Sequence, residues 1–322
     1  MAKVMVIFTG GTIAMRQDAS GAVVPALSAA DILQLIPELP HLAQLEAVDF
    51  GQFPGPHMDP ERMWLLRQLV ANSVQREDVD GVVITHGTDT LEETAYLLDL
   101  TIKADKPIIV VGAMKNCSQP GWDGPINLKD AILTALSPDA GSTGVLVVMN
   151  EKIYAASEVT KVDTQSIDAF DSPATGPLGL VVSGEVQIFR QVLNRRHIPT
   201  QALVCDVDLI KVVNGMDGRF IHSSIASGVK GIVLEAMGSG NVSPGILPAL
   251  ETAIAKGIKV LVVSRSNNGL VEPLYGYVGG GRHLMDMGVL FGENLPGHKA
   301  RIKLMVALGY TTDHAVLRQL LS

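Results

Sequence analysis

Short apolar runs rich in Val and Ile recur through the first half of the chain, at residues 4–8, 82–85, 108–111 and 145–149, with a weaker one at 47–50. Runs of this length, apolar throughout rather than alternating, predict strands covered on both faces. Helix signatures lie between them. Ser28 stands three residues before Asp31 and opens Ile32, Leu33 and Leu35. Asp59 followed by Pro60 places an N-cap and a first-turn proline ahead of a helix over 63–74. Thr90 with Glu93 has the spacing of a capping box before Ala95, Leu97, Leu98 and Leu100. The alternation predicts a mostly parallel sheet with crossover helices on both faces.

Between residue 152 and about 189 the pattern shifts to shorter, more polar, glycine-punctuated segments such as Gly184-Glu185-Val186-Gln187-Ile188, which predict hairpins at the sheet edge. Residues 190–206, with Arg195-Arg196-His197 and Pro199, read as a linker. Strand-like runs resume at 207–213, 232–235 and 260–264, with helix-like segments at 248–256, 299–308 and 314–321. The expected architecture is therefore α/β in two parts. A larger N-terminal domain spans 1–189, and a smaller C-terminal α/β domain spans 207–322.

Composition agrees with this and removes some functions. Of the 322 residues 47% are hydrophobic but only 4% aromatic, so the cores must be built from Val, Ile, Leu and Ala. A net charge of −8 argues against nucleic acid as a partner, because phosphate neutralisation needs basic stripes. The single basic clump, Arg195-Arg196-His197, reads as a solvated loop. No apolar run approaches the roughly 18 residues of a membrane span. Lys3 leads straight into the first strand without a signal-like segment. With only two cysteines, Cys117 and Cys205, a reducing compartment and hence the cytoplasm is the expected location.

Chemistry concentrates in two turns. Thr9-Gly10-Gly11-Thr12-Ile13-Ala14 and Thr85-His86-Gly87-Thr88-Asp89-Thr90 each follow an apolar run. Each therefore puts threonine hydroxyls at the carboxyl end of a strand, the edge where open parallel sheets bind ligands. In the second turn Thr90 is the expected helix cap, while Thr88 and Asp89 exceed what capping requires. The helix amides and dipole there favour a developing negative charge. A threonine hydroxyl becomes nucleophilic only when a base takes its proton. Lys161, in a polar, short-chained stretch, is a candidate base; taken alone it reads first as a surface lysine. Gly10-Gly11 lacks the further glycine or the G-K-[ST] ending of phosphate loops. The eight histidines are dispersed, without metal-site spacing.

These residues resemble a known family. Thr9–Ala14 and the longer run from Ile84 through Ala95 and on to Leu100 are similar to the two signature segments of the bacterial-type L-asparaginases and glutaminase-asparaginases. Val159-Thr160-Lys161 resembles the family's lysine segment, and Gly238-Ser239-Gly240-Asn241 its C-terminal glycine-asparagine turn. Ser264-Arg265, Asn268-Gly269 and Lys299-Ala300-Arg301 also match. The resemblance implies hydrolysis of a side-chain carboxamide to carboxylate and ammonia, with no metal or organic cofactor. It implies Thr9 as the nucleophile of an acyl-enzyme, and Thr88, Asp89 and Lys161 as a second polar triad. Together with the departures described next, it leaves Gly10, Thr12, Gly55, His57, Gly87, Asn241 and Glu272 as substrate-binding candidates. It further implies a homodimer or homotetramer with active sites at subunit interfaces.

Two departures from the family pattern bear on the substrate. Residues 15–27 contain no tyrosine where the family carries one, and Val23 or Val24 stands in its place. Gly55-Pro56 replaces the pair that holds the substrate carboxylate, and neither offers a side-chain donor. His57 is the candidate to take over that contact, and Tyr275 or Tyr277 to replace the missing tyrosine. The expected function is hydrolysis of L-asparagine. The alternatives are an amidase for an amide, lactam or imide without an amino-acid head, and a non-catalytic binder of small molecules.

Overall fold

The run at 4–8 is a strand, β1 (Lys3–Gly10), buried at every residue after Lys3, in a computed structural model that describes residues 1–322. Chain order continues through β2 (Met15–Gln17), β3 (Val23–Pro25), α1 (Ala29–Gln34), α2 (Leu39–Leu42), β4 (Gln44–Phe53) and α3 (Pro60–Gln75). Next come β5 (Gly81–Thr85), α4 (Leu91–Thr101), β6 (Ile108–Val111), α5 (Gly124–Leu136), β7 (Val145–Met149) and β8 (Lys152–Ala155). Four short strands follow: β9 (Thr160–Lys161), β10 (Phe170–Asp171), β11 (Gly179–Val182) and β12 (Glu185–Ile188). All of these lie in the first of two compact units, Met1–His197; the second is Ile198–Ser322.

The main sheet has eight strands in the order β12-β11-β8-β7-β6-β5-β1-β4. Pairings among β4, β1, β5, β6 and β7 are parallel, while β8, β11 and β12 close the far edge as antiparallel strands. Alternate residues of each central strand serve opposite faces. Val4, Val6 and Phe8 join Val83, Ile109 and the α5 residues Leu128 and Ile132 in one core. Met5 and Ile7 join Val82, Ile84, Leu66 of α3 and Leu98 of α4 in the other. Two-faced burial is why these strands read as unbroken apolar runs. The weaker run at 47–50 belongs to a ten-residue strand, β4, which is fainter in sequence because it is an edge with partly exposed residues.

Local signals resolve in two ways. Ser28 and Asp31 form a reciprocal capping box, and the Asp59 side chain accepts from Arg62 N. Thr90 corrects the expectation: it stands at the N-cap of α4 but makes no capping bond. Its hydroxyl donates instead to Gly55 O at 2.8 Å. Arg195 is a second correction. Rather than sitting in a solvated loop, it donates to the buried Asp99 carboxylate at 3.0 Å and to Ser142 O at 3.1 Å.

The second unit holds a four-stranded parallel sheet in sequence order, β13 (Val207–Lys211), β14 (Gly231–Ala236), β15 (Lys259–Ser264) and β16 (Leu290–Phe291). Its helices are α6 (Arg219–Ser227), α7 (Leu247–Ala255), α8 (Gly281–Asp286), α9 (Gly297–Tyr310) and α10 (His314–Leu321). Ile232, Leu234, Val260 and Val262 pack with Ile221 and Leu250. The first strand ends at Lys211, two residues short of the apolar run that suggested it. No helix in the chain is long and apolar enough to cross a membrane.

One core acid stands out electrostatically. Asp130 on α5 is 6% exposed, and burial, reinforced by the Glu151 carboxylate, pushes its carboxyl up from 3.8 to about 6. A value raised by folding contributes stability below 3.8 that is lost as pH rises through about 6. Asp130→Asn is therefore expected to stabilise the protein by about 1 kcal/mol at about pH 8 and by much less at about pH 4. Urea denaturation of both proteins at the two pH values checks this; equal shifts at both would contradict it.

Candidate active site

The five parallel strands of the main sheet run β4-β1-β5-β6-β7 in space. The chain leaves β1 toward β4, then returns across β1 to β5 and continues outward. Connections thus reverse direction between β1 and β5, and open sheets of this kind bind ligands in the crevice outside the carboxyl ends at such a point. Both threonine-glycine turns lie there, since β1 ends at Gly10 and β5 at Thr85.

Missing side chains let these turns meet. Gly11, at φ 82°, lies so close to the second turn that a Cβ on it would stand 2.4 Å from Gly87 N and 2.5 Å from Gly87 Cα. A Cβ on Gly87 would be 2.6 Å from Gly55 N and 2.7 Å from Gly55 Cα. One on Gly55 would press on Asp89 Cβ at 3.1 Å. Hydrogen bonds fasten the same backbone: Gly11 N donates to Phe53 O at 3.0 Å, and Thr90 to Gly55 O. His86, fully buried, adds another. Its Nδ1 lies 2.8 Å from Gly87 O and its Nε2 2.8 Å from Thr94 Oγ1. A carbonyl only accepts, so Nδ1 carries the proton and Nε2 takes the Thr94 hydroxyl. Burial lowers the imidazole to about 4, so it stays neutral.

On this frame sits a cluster of reactive type. Lys161 Nζ donates to Thr88 Oγ1 at 3.0 Å and to Asp89 Oδ1 at 2.8 Å. Thr88 is buried, the Lys161 side chain is 17% exposed and that of Asp89 61%. An ion pair so open on one side adds little to stability, and what it offers is a hydroxyl held against an amine. Thr9 is fully buried and its hydroxyl donates to Thr85 O at 2.7 Å. No base is bonded to it in this arrangement. Beside it, Thr85 Oγ1 is buried with no partner. Thr12 opens the 3-10 turn after Gly11 and is partly exposed.

The remaining candidates are more scattered. His57 ends the 3-10 turn Gly55–His57 and is exposed, its carbonyl accepting from Arg62 Nη1 at 2.9 Å. Asn241 and Glu272 belong to the second unit. Asn241 Oδ1 accepts from Gly281 N at 3.3 Å, and the exposed Glu272 donates its main-chain N–H to Ser239 O. Tyr275 and Tyr277 are exposed, with ring centroids 5.5 Å apart. Residues 15–25, where the tyrosine is missing, form the β2–β3 hairpin, whose turn is closed by Asp18 Oδ1 accepting from Ser20 and Ala22. The exposed Val23 and Val24 lie on its second strand.

Sequence reasoning missed several supporting groups. Asp123 accepts from Met114 N and Lys115 N at 2.9 Å, fixing the loop after β6. Asp123-Gly124-Pro125 at a helix start was the available signal. Glu92 accepts from Lys161 N, a contact with no local signal. No cluster of three or more His, Cys, Asp or Glu side chains is arranged to hold a metal ion.

The glycine contacts give a direct expectation. Gly87→Ala puts a methyl group into the Gly55 backbone and should cost at least about 2 kcal/mol together with most catalytic activity. Gly276→Ala, with nothing within 4 Å of the added Cβ, should change stability by less than about 0.5 kcal/mol. Urea denaturation of both variants makes the comparison, and equal stability of the two would refute the packing argument.

Residues 3–194 match the model of the asparaginase N-terminal domain, and residues 206–321 that of the glutaminase/asparaginase C-terminal domain. An L-asparaginase of Bacillus licheniformis is 36% identical over 307 residues, covering 95% of each chain. A glutaminase-asparaginase of Pseudomonas fluorescens biotype A is 35% identical over 332 residues, covering 99% of this chain and 90% of its own. Among solved structures, a probable cytoplasmic L-asparaginase from Campylobacter jejuni superposes with a TM-score of 0.89 at 32% identity, covering 99% of both chains. With both domain models matched in chain order and relatives above the thirty-percent level along the whole length, this chain belongs to the asparaginase family.

Proposed function

We propose that this protein hydrolyses the side-chain amide of L-asparagine to L-aspartate and ammonia through a threonine nucleophile. The observation that carries the reading is the Lys161 amine, 3.0 Å from Thr88 Oγ1 and 2.8 Å from Asp89 Oδ1, beside the switch point of the sheet. Thr9 Oγ1 attacks the amide carbon, the C–N bond breaks, and ammonia leaves carrying the hydroxyl proton, so that an ester to Thr9 remains. Water then attacks that ester. Its proton passes to Thr88 Oγ1 while the Thr88 proton moves to Lys161 Nζ, which must enter this step as the free amine. As the ester C–O bond breaks, the proton held by Lys161 is returned to Thr9 Oγ1, so that Thr9, Thr88 and Lys161 all regain their starting state. Main-chain N–H groups at the start of α4, at the positive end of the helix dipole, stabilise the oxyanion. Asp89 holds the substrate's α-amino group. Attack requires Thr9 to give up its hydrogen bond to Thr85 O.

Gly10, Thr12, Gly55, His57 and Gly87 line the substrate side of this reading, and Asn241 and Glu272 act from a neighbouring copy in a homodimer or homotetramer. The same reading places the protein in the cytoplasm, with a small amide as its ligand.

A second reading keeps the chemistry but takes an amide without an amino-acid head. It is favoured by Gly55-Pro56, which offers no side-chain donor to a carboxylate, and by the 3.1 Å approach of a Gly55 Cβ to Asp89, which leaves little room for one. Ammonia release from asparagine, glutamine and simple amides separates the two. Preference for asparagine by more than about a hundredfold supports the first, because an unmatched polar group in a site built for it costs at least that much. Thr9→Ala and Thr88→Ala should each lower kcat by about 10²–10⁴-fold with folding intact. Unchanged turnover in both would sink the assignment.

A further inference from the structure

Glu92 is buried, 5% exposed, and is the second residue of α4. Its Oε1 accepts from the main-chain N–H of Lys161 at 2.9 Å and from Thr160 Oγ1 at 3.2 Å. Those two donors make up the whole of β9, a two-residue strand. β9 pairs only with the two residues of β10, outside the eight-stranded sheet. A ribbon of this size is marginal in water and cannot hold a side chain to within a fraction of an ångström by itself. Its far side is steadied by Tyr154 OH, which donates to Phe170 O at 2.7 Å. Its near side is bonded to Glu92, next to the buried Val159.

The helix providing this contact is the one that follows Thr88 and Asp89 directly, and every residue of α4 except Glu93 is buried. Lys161 is therefore tied to one rigid segment at both ends, through its main-chain N–H to residue 92 and through Nζ to residues 88 and 89. We propose that Glu92 is a positioning residue that sets the height of Lys161 over Thr88, by the reach of its side chain rather than by its charge. The proposal rests on the reading of Lys161 as the proton acceptor of the reaction.

Reach and charge are separable. Glu92→Gln keeps the length and an acceptor oxygen, and should leave kcat within about threefold of the parent. Glu92→Asp keeps the charge but withdraws the acceptor by one methylene, and should lower kcat by about 30–100-fold with KM within about threefold, the scale set by a misplacement of about 1 Å. Glu92→Ala should resemble Glu92→Asp, and should it fail to fold the aspartate variant carries the test. Coupling to the lysine is read in a cycle with Lys161→Met, measured by ammonia release. In that background Glu92→Asp should cost less than about threefold more. The proposal is overturned if Glu92→Asp keeps kcat within about threefold of the parent, if Gln is as damaging as Asp, or if the Asp penalty is the same with and without Lys161. Full activity of Lys161→Met alone would instead defeat the reading of Lys161, and the positioning role with it.

Discussion

Three backbones meet without side chains where Gly11, Gly55 and Gly87 come together, and the chemistry of the N-terminal unit depends on that contact. The turn after β1, the turn after β4 and the turn after β5 arrive from strands neighbouring in the sheet but far apart in sequence. A methyl group on Gly11 or Gly87 would fall within 2.7 Å of backbone atoms of the next turn, well inside van der Waals contact. Only glycine permits the approach, and only the approach brings the Asp89 side chain down beside Gly55. The hydroxyls, the carboxylate and the amine of the site are carried on this frame.

The frame in turn rests on the sheet. Central strands buried on both faces allow little sliding, because each apolar side chain is committed to one of two cores. β1 and β5 pair from Val4–Gly81 to Phe8–Thr85 without interruption. The register thus puts Phe8 opposite Thr85, leaves Thr9 one residue further on to donate its hydroxyl to Thr85 O, and sets both turns level at the sheet edge. Irregularity begins only past that point: the β1–β4 pairing shifts between Phe8 and Gly10, and Gly10 and Gly11 take positive φ angles that glycine adopts without strain. Packing supplies the rigidity, and the few residues beyond the strands supply the chemistry.

Much of this was legible in the sequence for a physical reason. Fully buried strands such as β6 and β7 write themselves as apolar runs, and helices α1 and α3 announce their starts with Ser28 and Asp59. The two turns were legible as a pair because hydroxyl-rich glycine turns at strand ends have few structural uses. Legibility failed where one residue had two options. Thr90 has the sequence of a cap, yet its hydroxyl found Gly55 O, a partner 35 residues away. Lys161 is ambiguous by itself, since its meaning comes from Thr88 and Asp89, more than seventy residues earlier. Glu92 is less legible still, because an acid in the first turn of a helix is fully explained by the helix dipole.

Arg195 carries a different kind of consequence. Its guanidinium bonds to Asp99 and Ser142, and its Nε would stand 2.4 Å from a Cβ on Gly144. Asp99 also accepts from the N–H of Val145, the first residue of β7. Arg190, five residues earlier, pairs with Glu158. The segment leaving the hairpin edge is thus stitched back onto helix α4 and strand β7 before it departs. For anyone isolating the N-terminal unit by recombinant truncation, the cut belongs after His197. A shorter fragment would strip a buried carboxylate of its counter-ion and expose a lesion in its own interior.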